Sequence, residues 1–347
     1  MARKRTANDE AAARKQPKQP PILFERTQKL VHKLEAALGG TLITYWHNPR
    51  GSIASSDVVA FFEILERLGT KQTIYLFLKS DGGNGQASLR IVNLVREHCS
   101  KLVALVPLDC ASAATMIALG ANEIRMGPMS YLTAVDTSLT HDLSPIDRDN
   151  DRVSVSLDEL RRVVRLWRSE RTSDRGSERT NPYAHLYQYV HPLVIGAVDR
   201  ASSLSVMLSR ELLAYHLRDP KKVHRIADAL NTRYPSHSYP ILPAEAKRIG
   251  LNVTRLDHDV NTLLLELNEA YSEMGQKAVT DYDEIRSHGN EIISILEAKD
   301  VLVYFQQDKD WFYRAEERRW VTMNDHSGWR KTELVRGQPV SSVLHIS

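Results

Sequence analysis

Cysteine is scarce: 347 residues contain two, Cys99 and Cys110. Two isolated thiols supply neither a disulfide framework nor a metal-ligand spacing, so they read as reduced core thiols in a cytoplasmic chain, with no metal expected. An excess of one charge is also missing. The 46 Lys and Arg nearly balance 43 Asp and Glu, leaving a net charge of +3, so no nucleic-acid partner is expected. No apolar run approaches the ~20 residues of a membrane span, and no membrane association is expected. The basic start (Arg3, Lys4, Arg5, Arg14, Lys15, Lys18) has no apolar stretch behind it. With Pro17, Pro20 and Pro21 it reads as a disordered leader over 1–24 rather than a secretory signal.

What is present suits about two units of roughly 150 residues. Hydrophobic residues make up 42%, enough for a sizeable core. Leu30, Val31, Leu34, Ala37 and Leu38 predict a helix over 27–38, stopped by Gly39-Gly40. Strands over 41–46, 73–78, 102–107 and 123–126 then alternate with helices over 57–68, 87–97 and 113–119. The strands are nearly continuous apolar runs, as helices on both faces of a parallel sheet require, and the class is α/β. Ser156 and Glu159 form a capping box for a helix reaching about Ser169. The run 168–179 reads as a solvated loop, 183–217 as one long helix or two joined pieces, and 221–230 as another helix. Past 257 the pattern predicts an amphipathic helix over 260–274 and strands over 301–305, 311–314 and 320–323. These divide the chain into a main domain, 25–256, and a small C-terminal α+β module, 257–347. The module's aromatic-basic pattern (Trp311, Tyr313, Trp320, Trp329, Arg330) could stack on RNA, but its aromatics are expected to build the module's core instead.

Two turns carry the chemistry. One strand ends in Ser80-Asp81-Gly82-Gly83-Asn84, where a glycine pair lets the main chain approach a substrate without a Cβ in the way. Gly82 and Asn84 are placed as substrate-binding positions. The other turn, Cys110-Ala111-Ser112-Ala113-Ala114-Thr115, puts a hydroxyl beside the unpaired N–H groups of a helix start. Side by side, the two would supply a nucleophile and an oxyanion hole, the parts of an acyl-transfer site. The alternative is that Ser112 merely caps its helix. Cys110 is expected to be an inert buried thiol, and Lys79 to point to solvent. Asp147, Asp149, Asp151 and Asp158 imitate a calcium loop, but Arg152 stands where the loop's glycine belongs, so a hydrated loop is expected.

These two turns, with Val106-Pro107, the run Ala111–Ala121 and Met126-Gly127-Pro128-Met129-Ser130, resemble the Clp/crotonase superfamily of serine peptidases. Within it the likeness is to the serine dehydrogenase proteinase family, related to signal peptide peptidase A. Tyr234-Pro235-Ser236-His237-Ser238-Tyr239-Pro240-Ile241, then Glu245-Ala246-Lys247 and Gly250-Leu251, resemble that family's distal signature. The resemblance spans about 25–255. It implies a spiral of β-β-α units, assembly into a homo-oligomer, no cofactor, and peptide or protein substrates. Ser112 would be the nucleophile, and the Gly83 and Ala113 N–H groups the oxyanion hole.

The base is the departure from the family. Signal peptide peptidases use a lysine, and none lies between Lys101 and Lys221. Clp peptidases use a histidine near Val135-Asp136, and none stands there. His237 falls close to their acidic position and Asp136 at their histidine position. A triad of Ser112, His237 and Asp136 with two positions exchanged is therefore conceivable, since triads are defined by geometry rather than order. A histidine that only braces its own turn is the alternative; His141 is a spare. The sequence leads to the expectation of a serine peptidase. Its rivals are a peptide-binding scaffold that has lost catalysis and crotonase-type acyl-CoA chemistry, in which Ser112 would have no evident task.

Overall fold

A computed structural model describes residues 16–136, 138–148, 151–170 and 181–346. The first half runs α1 Phe24–Leu38, β1 Thr41–His47, α2 Asp57–Leu68, β2 Lys71–Lys79, α3 Gly85–Glu97, β3 Cys99–Val106, β4 Asp109–Cys110, α4 Ala113–Leu119, β5 Glu123–Met126 and β6 Tyr131–Leu132. A mostly helical stretch follows: β7 Ser138–Leu139, β8 Val155–Ser156, α5 Leu157–Glu170, α6 Pro182–Leu186, α7 Pro192–Ala214, α8 Pro220–Thr232, α9 Pro243–Ile249 and β9 Val253–Arg255. The chain closes with α10 His258–Met274, β10 Ala278–Asp281, β11 Arg286–Ala298, β12 Val301–Arg314, β13 Arg319–Asp325, β14 Gly328–Val335 and β15 Gln338–Leu344.

Local chemistry sets these boundaries. α1 stops at Gly39, whose φ of +64° is left-handed backbone. α7 and α8 begin on prolines, with His191 and Asp219 accepting the first free N–H groups. The capping box at α5 closes both ways between Ser156 and Glu159, at 3.0 and 3.2 Å. The expected 183–217 helix is two pieces, α6 and α7. Most of the expected 168–179 loop lies outside the described residues, and 168–170 still belong to α5.

The fold is mixed α/β, built on one large sheet in the order β15-β14-β12-β11-β1-β2-β3-β5-β9, with β10 on β11 and β13 on β12. From β1 to β9 the strands are parallel; β11 joins β1 antiparallel, and the C-terminal strands continue that way. Helices cover both faces. α2, α3, α4, α7 and α8 pack one apolar core, while α1 and α10 pack the other. Two expected strands, 301–305 and 311–314, are one strand, β12, and β11, β14 and β15 were not expected. The sheet runs across the expected boundary at 256, because β11 pairs with β1. Residues 1–15 of the expected leader lie outside the described residues. Residues 16–23 are held on the sheet, where the Lys18 N–H donates to Thr280 and Gln19 accepts from Asn290. Of the C-terminal aromatics, Trp329 is buried against Phe305, whereas Trp320 is 44% exposed beside Tyr313.

Where β11 meets β1 the core holds a carboxyl. Glu297 is fully buried and accepts from Thr27, Gln28 and Tyr271 at 2.6, 2.7 and 2.6 Å. Burial outweighs these donors and pushes its pKa from 4.5 up to about 7. A raised carboxyl stabilises the fold fully below its unfolded pKa, and that contribution is lost as pH rises through the folded value. Such a rise corresponds to about 3 kcal/mol. Relative to Glu297→Gln, the wild-type unfolding free energy should therefore fall between pH 4.5 and 8 by an amount of that order. Guanidinium titrations at the two pH values measure it, and a difference independent of pH would refute it.

Candidate active site

β2 and β3 deliver the two turns to the same end of the parallel sheet, as strands of one direction must. Backbone bonds then join them: the Ser80 N–H donates to Asp109 (3.2 Å), and the Ala111 N–H donates to Ser80 (2.9 Å). Gly82, at φ +110°, sits against the serine turn. A Cβ there would lie 2.6 Å from the Ser112 Cβ and 2.9 Å from the Ala111 oxygen. On its other side the glycine turn is clamped to Ile53, whose N–H donates to Gly82 (2.8 Å) and whose oxygen accepts from Asn84 (2.9 Å). Those bonds belong to its neighbours, and the Gly83 N–H has no partner among the described residues. Asn84 caps α3, its side chain accepting from Gln86 and Ala87. Its backbone N–H is taken by Ile53 and its carbonyl by Ser88, so although Asn84 lines the cavity, neither backbone group is left open to it.

Ser112 occupies a strained corner, with φ 52° and ψ −119°. Such a conformation in a residue with a Cβ costs on the order of 1–3 kcal/mol and persists only where the surroundings impose it. Its hydroxyl does not cap α4, so the expected structural alternative is not the one formed. The Ser112 N–H donates to Thr133 Oγ1 (2.7 Å), the Thr115 hydroxyl donates to Cys110 (2.7 Å), and the Thr133 N–H donates to Thr115 Oγ1 (3.1 Å). Ala113, the first residue of α4, has no intrahelical acceptor for its N–H. Among the described residues, two N–H groups without a partner, those of Gly83 and Ala113, therefore flank a half-buried serine.

The serine opens onto a cavity of about 480 Å³, also lined by Gly83, Ala113, Asp136 and His237. Distant backbone pairing brings the last two together. The Val135 N–H donates to Leu230 (3.1 Å) and Leu132 bridges to Ile241 in both directions, so the segment before Asp136 is tied to both flanks of the His237 loop. His237 Nδ1 and Asp136 Oδ1 are 2.9 Å apart. Because a carboxylate only accepts, Nδ1 carries the proton and Nε2 keeps the lone pair. The Asp136 hydrogen bond raises the His237 pKa above 6.5, against burial, which lowers it. Ser112 Oγ bonds neither of them; it has no hydrogen-bond partner among the described residues.

The other expected residues fall elsewhere. His141 accepts from the Leu143 N–H within its own loop (3.1 Å). Lys79 does not point to solvent. It donates to the His47 carbonyl (3.0 Å), pairs with Asp109 (3.4 Å) and lies over the Trp46 ring, because the strand end is covered on that side. Cys110 is fully buried, and burial with Asp109 nearby pushes its thiol up, away from the reactive thiolate. Among the described residues no group of three His, Cys, Asp or Glu could hold a metal ion; Asp149 of the acidic run lies outside them. Ser80 and Thr115, read only as parts of the two turns, and Thr133 and His47, not singled out, all support the turns; their roles depend on partners distant in sequence.

Gly82→Ala would need a Cβ where Ser112 already sits, at a φ that favours glycine. It should lower the unfolding free energy by about 2 kcal/mol or more. A denaturation midpoint equal to wild type would mean that the turns are not held in contact.

Residues 29–133 match the Clp protease family. No curated protein matches the chain. Among solved structures, a serine-to-alanine mutant of the membrane-bound stomatin-specific protease 1510-N is similar at 17% identity. The match covers 68% of this chain and 84% of that one, with a TM-score of 0.38. No helix among the described residues is long and apolar enough to cross a membrane.

Proposed function

We propose that this chain is a serine peptidase in which Ser112 attacks a peptide carbonyl and carries the acyl group. The reading rests chiefly on one observation: the strained serine, two free N–H groups and a His–Asp pair share one cavity. The match of residues 29–133 to the Clp protease family supports it. His237 Nε2 takes the Ser112 proton as the oxygen attacks, and Asp136 holds the imidazole in the required tautomer and stabilises its charge. Gly83 and Ala113 N–H groups receive the oxyanion. The imidazolium then gives its proton to the leaving amine, and water repeats the sequence to free the acid. Met116, Val135, Leu204 and Leu208 make one wall of the cavity apolar, suiting an apolar substrate side chain beside the scissile bond. A spiral of β-β-α units and assembly into a homo-oligomer belong to the same proposal, supported by the family match alone.

A fluorophosphonate probe should label the wild type at Ser112, and Ser112→Ala should lose both labelling and peptide hydrolysis while keeping its circular dichroism. An unlabelled, inactive wild type would favour the non-catalytic peptide-binding scaffold. Base catalysis requires neutral His237, so kcat/KM should rise with pH through a value above 6.5. Asp136→Asn removes the cause of that elevation. Its acidic limb should move to lower pH while kcat drops by roughly 10²–10⁴-fold. An unmoved limb would remove the pair from the mechanism.

A further inference from the structure

A second cluster of polar side chains lies beneath the glycine turn, sealed from solvent and unused by the steps above. His47, the last residue of β1, is fully buried beside Tyr45, at 4.7 Å between ring centroids, and tight against Gly51. Its Nδ1 is 2.9 Å from Ser80 Oγ, and the same oxygen accepts from the Gly82 N–H at 3.1 Å. The Ser80 oxygen accepts from Gly82, and His47 Nδ1 is the acceptor within reach of its own proton among the described residues, so the pairing that satisfies both groups has Ser80 donating to His47. The imidazole must then be neutral, with its other proton on Nε2. That nitrogen has no hydrogen-bond partner among the described residues; the nearest carboxylate oxygen, Asp57 Oδ2, is 3.9 Å away. Asp57 is itself held by the Tyr45 hydroxyl and the Ala54 N–H, the residue after the Ile53 clamp.

On the peptidase reading, on which it rests, we infer that His47 and Ser80 are positioning residues that set the aim of the Gly83 N–H. The turn is gripped at two points. Ile53 fixes Gly82 and Asn84 through the backbone, and the Ser80 hydroxyl fixes the N–H one residue before the oxyanion donor. His47 directs that hydroxyl, because an acceptor at Nδ1 fixes where its proton points and so turns its lone pairs toward Gly82. A buried ring with an unanswered N–H costs stability, on the order of 1–3 kcal/mol, which a purely structural site would shed by carrying an apolar residue. Burial and Lys79 lower the His47 pKa to about 3, so the acceptor state persists across the working range.

The test compares Ser80→Ala, His47→Leu, His47→Asn and the double variant Ser80→Ala/His47→Leu in peptide hydrolysis and fluorophosphonate labelling. Asparagine keeps an acceptor one bond beyond Cγ, where Nδ1 stands; leucine does not. Misaiming one oxyanion donor costs less than its full removal, which is worth roughly 10²–10³ in rate. Ser80→Ala and His47→Leu should therefore each lower kcat and the labelling rate about 10- to 100-fold, with KM changed less than about 3-fold. The double variant should be no slower than the slower single one, since both act through one bond. His47→Asn should recover to within about 5-fold of wild type. Full kcat in Ser80→Ala, additive losses, or equal damage from Asn and Leu would each overturn the inference while leaving the peptidase reading intact. If leucine at 47 prevents folding, Ser80→Ala, which removes a single oxygen, and His47→Asn decide the question between them. A wild type that neither hydrolyses nor labels would overturn both.

Discussion

Two chain reversals meet here with no side chain between them. Gly82 faces the Ser112 Cβ at a separation that excludes even a methyl group, and everything chemical in this fold depends on that closeness. On the proposed peptidase reading, an oxyanion would be reached by N–H groups from both reversals at once, at about 3 Å. A Cβ added at position 82, against the one Ser112 already has, would push the two turns apart. The contact is expensive in backbone terms, with Gly82, Gly83 and Ser112 all at positive φ. The serine cannot relax into ordinary helical geometry because Thr133 holds its N–H and α4 begins at the next residue. Strain at the serine and permissiveness at the glycines are two sides of one constraint.

The His237–Asp136 pair is positioned by different means. Neither residue sits on a long strand or inside a helix, so side-chain packing alone would leave both loose. Backbone pairing supplies the precision. Leu132 and Val135 on one segment bond to Ile241 and Leu230 on the other, and the Ser205 hydroxyl of α7 donates to the Val135 carbonyl. Asp136 follows directly from that seam, and His237 lies in the loop it closes. Such an arrangement is indifferent to which of the two positions carries the imidazole, since both face the same cavity.

Much of this was legible in the sequence, and the rest was hidden for identifiable reasons. The glycine pair and Ser112 announce themselves because they break apolar strings at strand and helix boundaries, where backbone rules are strict. His237 and Asp136 could be paired only by setting their spacing beside a family pattern; nothing local links them across the intervening hundred residues. Ser80 was legible only as the first residue of the glycine turn and His47 not at all, because the bond between them joins residues 33 apart in the chain. Lys79 was misread because its exposure depends on Trp46 and Asp109, neither adjacent in sequence. Likewise β11 was missed, and with it the continuity of the sheet. Strand pairing is a property of partners rather than of propensity, and its partner β1 lies more than two hundred residues earlier.

That continuity bears on the site although, among the described residues, the cavity takes no lining from beyond 256. β1 alternates its side chains between the two faces of the sheet. Thr44 faces the α1–α10 side and reaches Tyr271 and the Glu297 backbone, while Tyr45 and His47 face the side of Asp57 and Ser80. Without β11, β1 would be an edge strand, its N–H and C=O groups unpaired along one side and its position set by β2 alone. With β11 in place, Ile43 to Trp46 are paired on both flanks, and His47, past the last β2 register, is still paired with Ser294 of β11. A ring at the end of such a strand cannot drift relative to Ser80 without disturbing the whole sheet. The C-terminal strands therefore act on the glycine turn at a distance, by fixing the strand from which His47 projects.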